Sequence, residues 1–336
     1  MGLNAAVLGG GSFGTALAAQ LARVGHRTRL WERHADRAAH INAHHRNPRY
    51  LLGVDLPPSL EATADLGHAL AGAELVVLAV PSVAAQAVLT AATPHLEVGT
   101  FVCCATKGID DETLLPVVDL VDAALPESLR AGVTVFSGPT FAAELAAGLP
   151  TAAVVAGSEA AAAFVSRAFH GGNVRCYHAE DRVGVCVGGA VKNVMAIATG
   201  ISDGLGLGAN ARAALLTRGL NEITRLVVAM GGEAPTMMGL AGVGDLVLTC
   251  TGDLSRNRRV GLALGQGRDL ASILAELGQV AEGVVTARSA HRLAVLKGVE
   301  MPITEQVYRI VHEERPAADA LAELLGRRRR HERDDG

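Results

Sequence analysis

Residues 5–24 read AAVLGGGSFGTALAAQLARV, and the architecture follows from them. Ala5–Leu8 is a short apolar run of the kind that forms a buried strand. Thr15–Val24 carries its apolar residues at helical spacing. Between them, Gly9-Gly10-Gly11-Ser12-Phe13-Gly14 satisfies G-x-G-x-x-G, with Gly9, Gly11 and Gly14 at the fixed positions. Glycine permits a tight turn and lets backbone approach a diphosphate. The N–H groups and positive dipole end of the following helix favour its charge. Strand, loop and helix in this order make the first segment a candidate dinucleotide-binding unit.

The pattern continues outward from that unit. Thr28–Trp31, Leu75–Val80, Phe101–Cys104, Val133–Ser137, Thr151–Ala156 and Val174–Tyr177 read as strands, with helical stretches such as Ser82–Ala91 and Glu159–Phe169 between them. The run LVVLAV at Leu75–Val80 is apolar throughout, as expected of a strand covered on both faces. Repeated β-α alternation predicts an α/β fold with a doubly wound, mostly parallel sheet. After about Val183 the strands fade. Helical patterns take over at Gly189–Thr199, Ala209–Ala229, Asn257–Leu264, Leu270–Leu277 and Val284–Leu296, and again through Val311. The division expected is therefore 1–182 for the nucleotide-binding domain and 183–336 for an all-helical one.

Composition removes several function classes. With 336 residues and 49% hydrophobic content, two cores are affordable. A net charge of −4 and 3% aromatic residues argue against nucleic acid as a partner. Cys103, Cys104, Cys176, Cys186 and Cys250 form no C-x-x-C, which predicts reduced thiols in a cytoplasmic protein and no metal site. His40, His44 and His45 lack a matching carboxylate or cysteine set and read as non-metal. The N-terminus has no basic region before its glycines and does not resemble a secretory signal. Arg327–Arg330 opens a mixed-charge tail that reads as a solvated terminus.

A few polar residues stand out against this background. Lys192 lies in VGVCVGGAVKNVMAIATGI (Val183–Ile201), where only Lys192, Asn193 and Thr199 are polar. The length approaches that of a membrane span. Gly184, Gly188, Gly189, Gly200 and the mid-run lysine argue instead for a core helix. A buried ammonium needs a partner or a role, and a lysine that merely snorkels to the surface is the plainer alternative. Lys107, in Ala105-Thr106-Lys107-Gly108, follows a strand, where open α/β sheets bind ligands. Ser137-Gly138-Pro139-Thr140 follows another, and Thr140 is placed to cap the next helix. Asp245 sits among glycines, with Thr249 four residues on, and reads equally as a turn residue. Ser255-Arg256-Asn257-Arg258-Arg259 opens a helix and suits an anion such as phosphate, or else is a basic surface turn. Near the end of the second strand, Glu32 would favour NAD through a ribose hydroxyl and Arg33 would favour NADP through a 2′-phosphate.

Taken together, these segments resemble the bacterial NAD(P)-dependent glycerol-3-phosphate dehydrogenases. The resemblance runs from the glycine loop to about Gly326 and is carried by ATKG at 105–108, SGPTFA at 137–142, GGAVKN at 188–193, GLAGVGDLVLTCT at 239–251 and SRNRR at 255–259. It implies a Rossmann-like domain followed by an all-helical substrate domain. It implies hydride transfer between NAD or NADP and a small-molecule substrate, dihydroxyacetone phosphate, giving sn-glycerol 3-phosphate for glycerophospholipid synthesis. By the same resemblance Lys192 is the general acid/base. Lys107, Gly138, Thr140, Lys192, Asp245, Ser255, Arg256 and Asn257 match substrate-contacting positions. Ser12, Phe13, Arg33, Lys107, Ala142, Arg256, Val280 and Glu282 match cofactor contacts, with His34 and Tyr50 as further additions. Burial among Val191, Val194 and Met195, and a nearby Lys107, would favour a neutral Lys192, whereas Asp245 would oppose this if it approaches. A homodimer is also expected. Two other readings compete: a hydroxyacid or ketoacid dehydrogenase, and a non-catalytic NAD(H) sensor. The first has no use for SRNRR, and the second has no use for Lys192, Asp245 and Arg256 together.

Overall fold

The structure, a computed structural model, describes residues 2–327; the tail from residue 328 lies outside the described residues. The chain divides into two compact units. The first runs to Lys107 and resumes over Val117–Arg182. The second comprises Gly108–Pro116 and the chain from Val183 onward. The division at 182/183 read from the sequence leaves 108–116 in the first unit. Ile109 explains the different assignment: it is buried in the apolar core of the helical unit. Asp111 adds ion pairs to Arg288 at 3.1 Å and Arg292 at 3.7 Å.

The first unit holds one eight-stranded sheet: β1 (Asn4–Leu8), β2 (Arg27–Trp31), β3 (Glu61–Thr63), β4 (Leu75–Leu78), β5 (Phe101–Cys104), β6 (Val133–Ser137), β7 (Thr151–Ala156) and β8 (Val174–Ala179). Their order is β3-β2-β1-β4-β5-β6-β7-β8. Every pairing is parallel except β6 with β7. The strand order reverses between β1 and β4, and the crevice at such a switch point is where doubly wound sheets take ligands. β3 escapes a reading from sequence because Glu-Ala-Thr has no apolar run. It is a strand because it pairs with β2, Leu30 opposite Ala62. β4 ends at Leu78, short of the expected Val80, and Pro81 precedes the helix Ser82–Ala92.

The second unit is helical among its described residues. Its centre is the helix Arg182–Gly204, long and apolar enough by composition to cross a membrane, yet its apolar window is wholly buried in protein. It is a core helix. Glycine lets a second helix, Arg256–Gly265, press directly against it. A Cβ at Gly261 would lie 2.1 Å from the Ile197 carbonyl oxygen, and one at Gly200 would lie 2.2 Å from that of Arg258. Glu222, buried in the helix Gly208–Ala229, accepts from the Ile303 and Thr304 N–H groups at 2.7 and 3.1 Å. It thereby satisfies two orphan donors at the start of the helix Pro302–His312.

Candidate active site

In the first unit the predicted cofactor residues converge at the carboxyl ends of β1, β4, β5 and β6. The glycine loop leads from β1 into the helix Ser12–Arg23, with Gly11 as its N-cap. Gly9 has φ +123°, and a Cβ there would meet the Ala79 carbonyl oxygen at 2.7 Å. At Gly14 the added atom would meet the Gly9 oxygen at 1.9 Å. At Gly11 it would meet nothing within 4 Å. Two glycines therefore serve packing, and the third faces open space at a helix N-terminus, where a diphosphate fits. Thr106 staples the next turn down, its hydroxyl donating to the Val80 carbonyl at 2.8 Å. Lys107 is held there with its Nζ 5.5 Å from the Phe13 ring centroid. Phe13 in turn lies 6.2 Å from the ring of Phe136 on β6. Past β6, Gly138 turns at φ +128°, and Thr140 donates its hydroxyl to the Gly138 carbonyl at 3.1 Å. Thr140 does not cap the following helix, Ala142–Ala146; Phe141 occupies the N-cap. Ala142 opens that helix, which Arg23 ties to the glycine-loop helix through the Leu145 carbonyl at 3.1 Å.

The two candidate ribose readers separate. Glu32 is buried, with Oε1 accepting from the His34 N–H at 3.1 Å and forming an ion pair with Arg37 at 3.7 Å. A Cβ on Gly10 would sit 2.2 Å from its Oε2, so this carboxylate underpins the loop and is not presented to a ribose. Arg33 is exposed, its Nε 3.0 Å from His34 Nε2. Tyr50 lies on the stretch after the helix Ala35–His44. Its N–H donates to Asn47 Oδ1 at 3.0 Å, and Arg49 lies 5.6 Å from its ring centroid.

In the second unit, Lys192 is buried at 6% exposure and Asp245 at 1%. The Lys192 ammonium donates to the Asp245 carboxylate and to the Thr249 hydroxyl, the latter at 2.9 Å. Asp245 is no surface turn. A π-helical turn at Leu240–Gly244 feeds it into the first position of the helix Asp245–Thr251. Thr249, one turn on, donates to Asp245 at 3.2 Å. Burial favours the neutral amine and the carboxylate favours the ammonium, so the opposing influence expected of Asp245 is present. Burial also pushes the thiol of Cys250, which follows Thr249, up to about 12.

A second cluster adjoins this pair. Asn257 Oδ1 accepts from the Gly283 N–H at 3.0 Å, and a Cβ on Gly283 would meet the Asn193 carbonyl oxygen at 2.6 Å. The residue after Lys192 is thus in line with Asn257 and with the start of the helix Glu282–Lys297. Arg256 Nη1 reaches Gln279 Oε1 at 3.4 Å, which puts Arg256 beside the Val280–Glu282 segment. Ser255 is the N-cap of its helix, accepting from the Arg258 N–H at 3.2 Å, a structural duty the SRNRR pattern did not reveal. Arg258 is committed to Asp203 at 2.7 Å and Asp253 at 2.8 Å, while Arg256 is exposed. Two residues escaped a functional reading. Thr249 had a signal, the i,i+4 spacing from Asp245; Asn47 had none.

Comparison with known proteins gives the same family from both halves. Residues 4–163 match the model for the NAD-dependent glycerol-3-phosphate dehydrogenase N-terminus, and residues 181–322 match that for the C-terminus. A glycerol-3-phosphate dehydrogenase (NAD(P)+) of Anaeromyxobacter dehalogenans is 52% identical over 326 residues, 97% of this chain and 98% of the relative. One from Halorhodospira halophila is 51% identical over 336 residues, the full length of both. The crystal structure of the Coxiella burnetii glycerol-3-phosphate dehydrogenase superposes with a TM-score of 0.91 at 43% identity, covering 97% of this chain and 99% of that one. With its glycine loop, its buried Lys192–Asp245 pair and these matches along both halves, the chain belongs to the NAD-dependent glycerol-3-phosphate dehydrogenase family.

Proposed function

We propose that this chain reduces dihydroxyacetone phosphate to sn-glycerol 3-phosphate with NADPH or NADH, and catalyses the reverse. The observation that carries the reading is the Lys192 ammonium, buried and held by Asp245 and Thr249 in a chain whose Gly11, at a helix N-terminus, also faces open space. When bound, the nicotinamide supplies a hydride to C2 of the substrate. The protein's task is to orient the reactants and move one proton. Lys192 gives that proton to the carbonyl oxygen as the alcohol forms, and in the oxidising direction takes it back. Asp245 and Thr249 fix where the Nζ points and steady its positive form. Arg256 holds the substrate phosphate, with Asn257 beside it. Lys107, Gly138 and Thr140, at the ends of β5 and β6, are further candidate substrate contacts by the family resemblance. Gly9, Gly11, Ser12, Phe13 and Gly14, with Ala142, receive the dinucleotide; Arg256, Val280 and Glu282 are further candidate cofactor contacts by the family resemblance.

The cofactor preference is read from Arg33 and His34. With Glu32 turned inward and Arg33 exposed at the end of β2, the segment suits the 2′-phosphate of NADPH better than a ribose hydroxyl. The five cysteines, free and mostly buried, support a cytoplasmic setting, where the product would feed glycerophospholipid synthesis. A homodimer is proposed as an expectation from the sequence, and sedimentation reads it directly. The deciding experiment measures NADPH and NADH oxidation with dihydroxyacetone phosphate and with small ketoacids. Oxidation with the triose phosphate alone, faster with NADPH and losing that preference in Arg33→Ala, is the expected result. Turnover of ketoacids without dihydroxyacetone phosphate would overturn the reading.

A further inference from the structure

Asn47 is 2% exposed and uses its whole hydrogen-bonding capacity. Its Nδ2 donates to the Gly10 carbonyl and to Thr15 Oγ1, each at 3.0 Å. Its Oδ1 accepts from the N–H groups of Arg49 and Tyr50 at 3.1 and 3.0 Å. Thr15 adds a hydroxyl to the same Gly10 carbonyl at 3.3 Å. One side chain therefore joins the glycine loop to the turn that carries Tyr50.

The consequence follows from peptide geometry. In a trans peptide the C=O and the following N–H point in opposite directions. Two donors pulling the Gly10 oxygen inward thus aim the Gly11 N–H outward, at the helix N-terminus where Gly11 faces open space. A glycine-rich loop has little of its own to fix that peptide plane, since glycine populates both signs of φ about equally. Glu32 also packs against Gly10. We infer that Asn47 is a positioning residue for the dinucleotide: it sets the Gly10–Gly11 peptide for the cofactor diphosphate and fixes the Tyr50 turn beside it. This inference rests on the dehydrogenase reading of the site.

Two variants separate its halves. Asn47→Ala removes all four bonds. Asn47→Asp keeps the acceptor for Arg49 and Tyr50 but loses both donors and sets a carboxylate against the Gly10 oxygen. NADPH affinity, measured by fluorescence titration, is expected to fall roughly ten- to a hundredfold in both. With cofactor saturating, kcat and the KM for dihydroxyacetone phosphate should stay within about threefold of the parent. The rise in melting temperature on adding NADPH should shrink in parallel. Should Asn47→Ala fail to fold, Thr15→Ala tests the same carbonyl, and its affinity should fall in the same direction by a smaller factor. Unchanged NADPH affinity in the folded variants, with only a lower melting temperature, would make Asn47 merely structural and overturn the inference. Failure of the parent chain to bind NADPH would instead remove the dehydrogenase reading on which the inference stands.

Discussion

Arg256 and Arg258 are two residues apart on one helix start, yet their surroundings give them different work. Arg258 is spent on Asp203 and Asp253, whereas Arg256 is exposed and makes a long contact to Gln279. With Arg256 proposed as the phosphate ligand, Arg256→Ala should lose a charge-assisted bond, about 1.5–3 kcal/mol, read as a roughly ten- to hundredfold fall in kcat/KM for dihydroxyacetone phosphate. Arg258→Ala should instead lower the urea midpoint, because the Asp203 side chain is only 7% exposed and would keep Arg212 alone of its two guanidinium partners. Equal kcat/KM losses in the two variants would contradict this division. The residues of SRNRR alone suited an anion without separating the two arginines; the family resemblance matched Arg256, not Arg258, to a substrate contact. The distinction depends on Asp203, more than fifty residues away.

The glycines of the helical unit act through the distance between helices. Gly200 and Gly261 allow the backbones of Arg182–Gly204 and Arg256–Gly265 to touch, which sets where Ser255, Arg256 and Asn257 stand relative to the helix bearing Lys192. Gly261→Ala must push a backbone oxygen aside. It is expected to cost about 2–3 kcal/mol in urea unfolding even after the better helix propensity of alanine. A stabilised variant would show that the helices part freely. Elements of this kind were legible where one local pattern sufficed. The strand–glycine–helix unit, the apolar β4 and the central helix could be read from a single window of sequence. β3, the π-helical turn before Asp245 and the place of 108–116 could not. β3 and the place of 108–116 are decided by partners distant in the chain, β2 for the first and the apolar neighbours of Ile109 for the second; the π-helical turn is a local irregularity, with the Met237 backbone lying against Gly242. The glycine loop and Lys192 were likewise visible as residues, but the packing of Glu32 against Gly10 and the grip of Asn47 on Gly10 were not, since both depend on contacts distant in the chain.

Glu222 ties the stability of the whole chain to pH. Burial lifts its carboxyl from 4.5 to about 7, while the Ile303 and Thr304 donors hold it back. Between those values the folded chain keeps a proton that the unfolded chain has released. The stability this group contributes is therefore fully present below about pH 4.5, declines as pH rises, and is lost above about pH 7. The span corresponds to about 3 kcal/mol. Urea titrations of the parent and Glu222→Gln from pH 5 to 8 should diverge, the parent losing ground to the variant as pH rises; a constant difference would contradict the shift. The proposed chemistry depends on the Lys192 ammonium, held by Asp245 and Thr249, exchanging a proton with the triose oxygen. The direct test is turnover of dihydroxyacetone phosphate by folded Lys192→Ala at saturating NADPH. The account predicts a fall of roughly 10²- to 10⁴-fold with NADPH affinity nearly unchanged; turnover within a few-fold of the parent would contradict it.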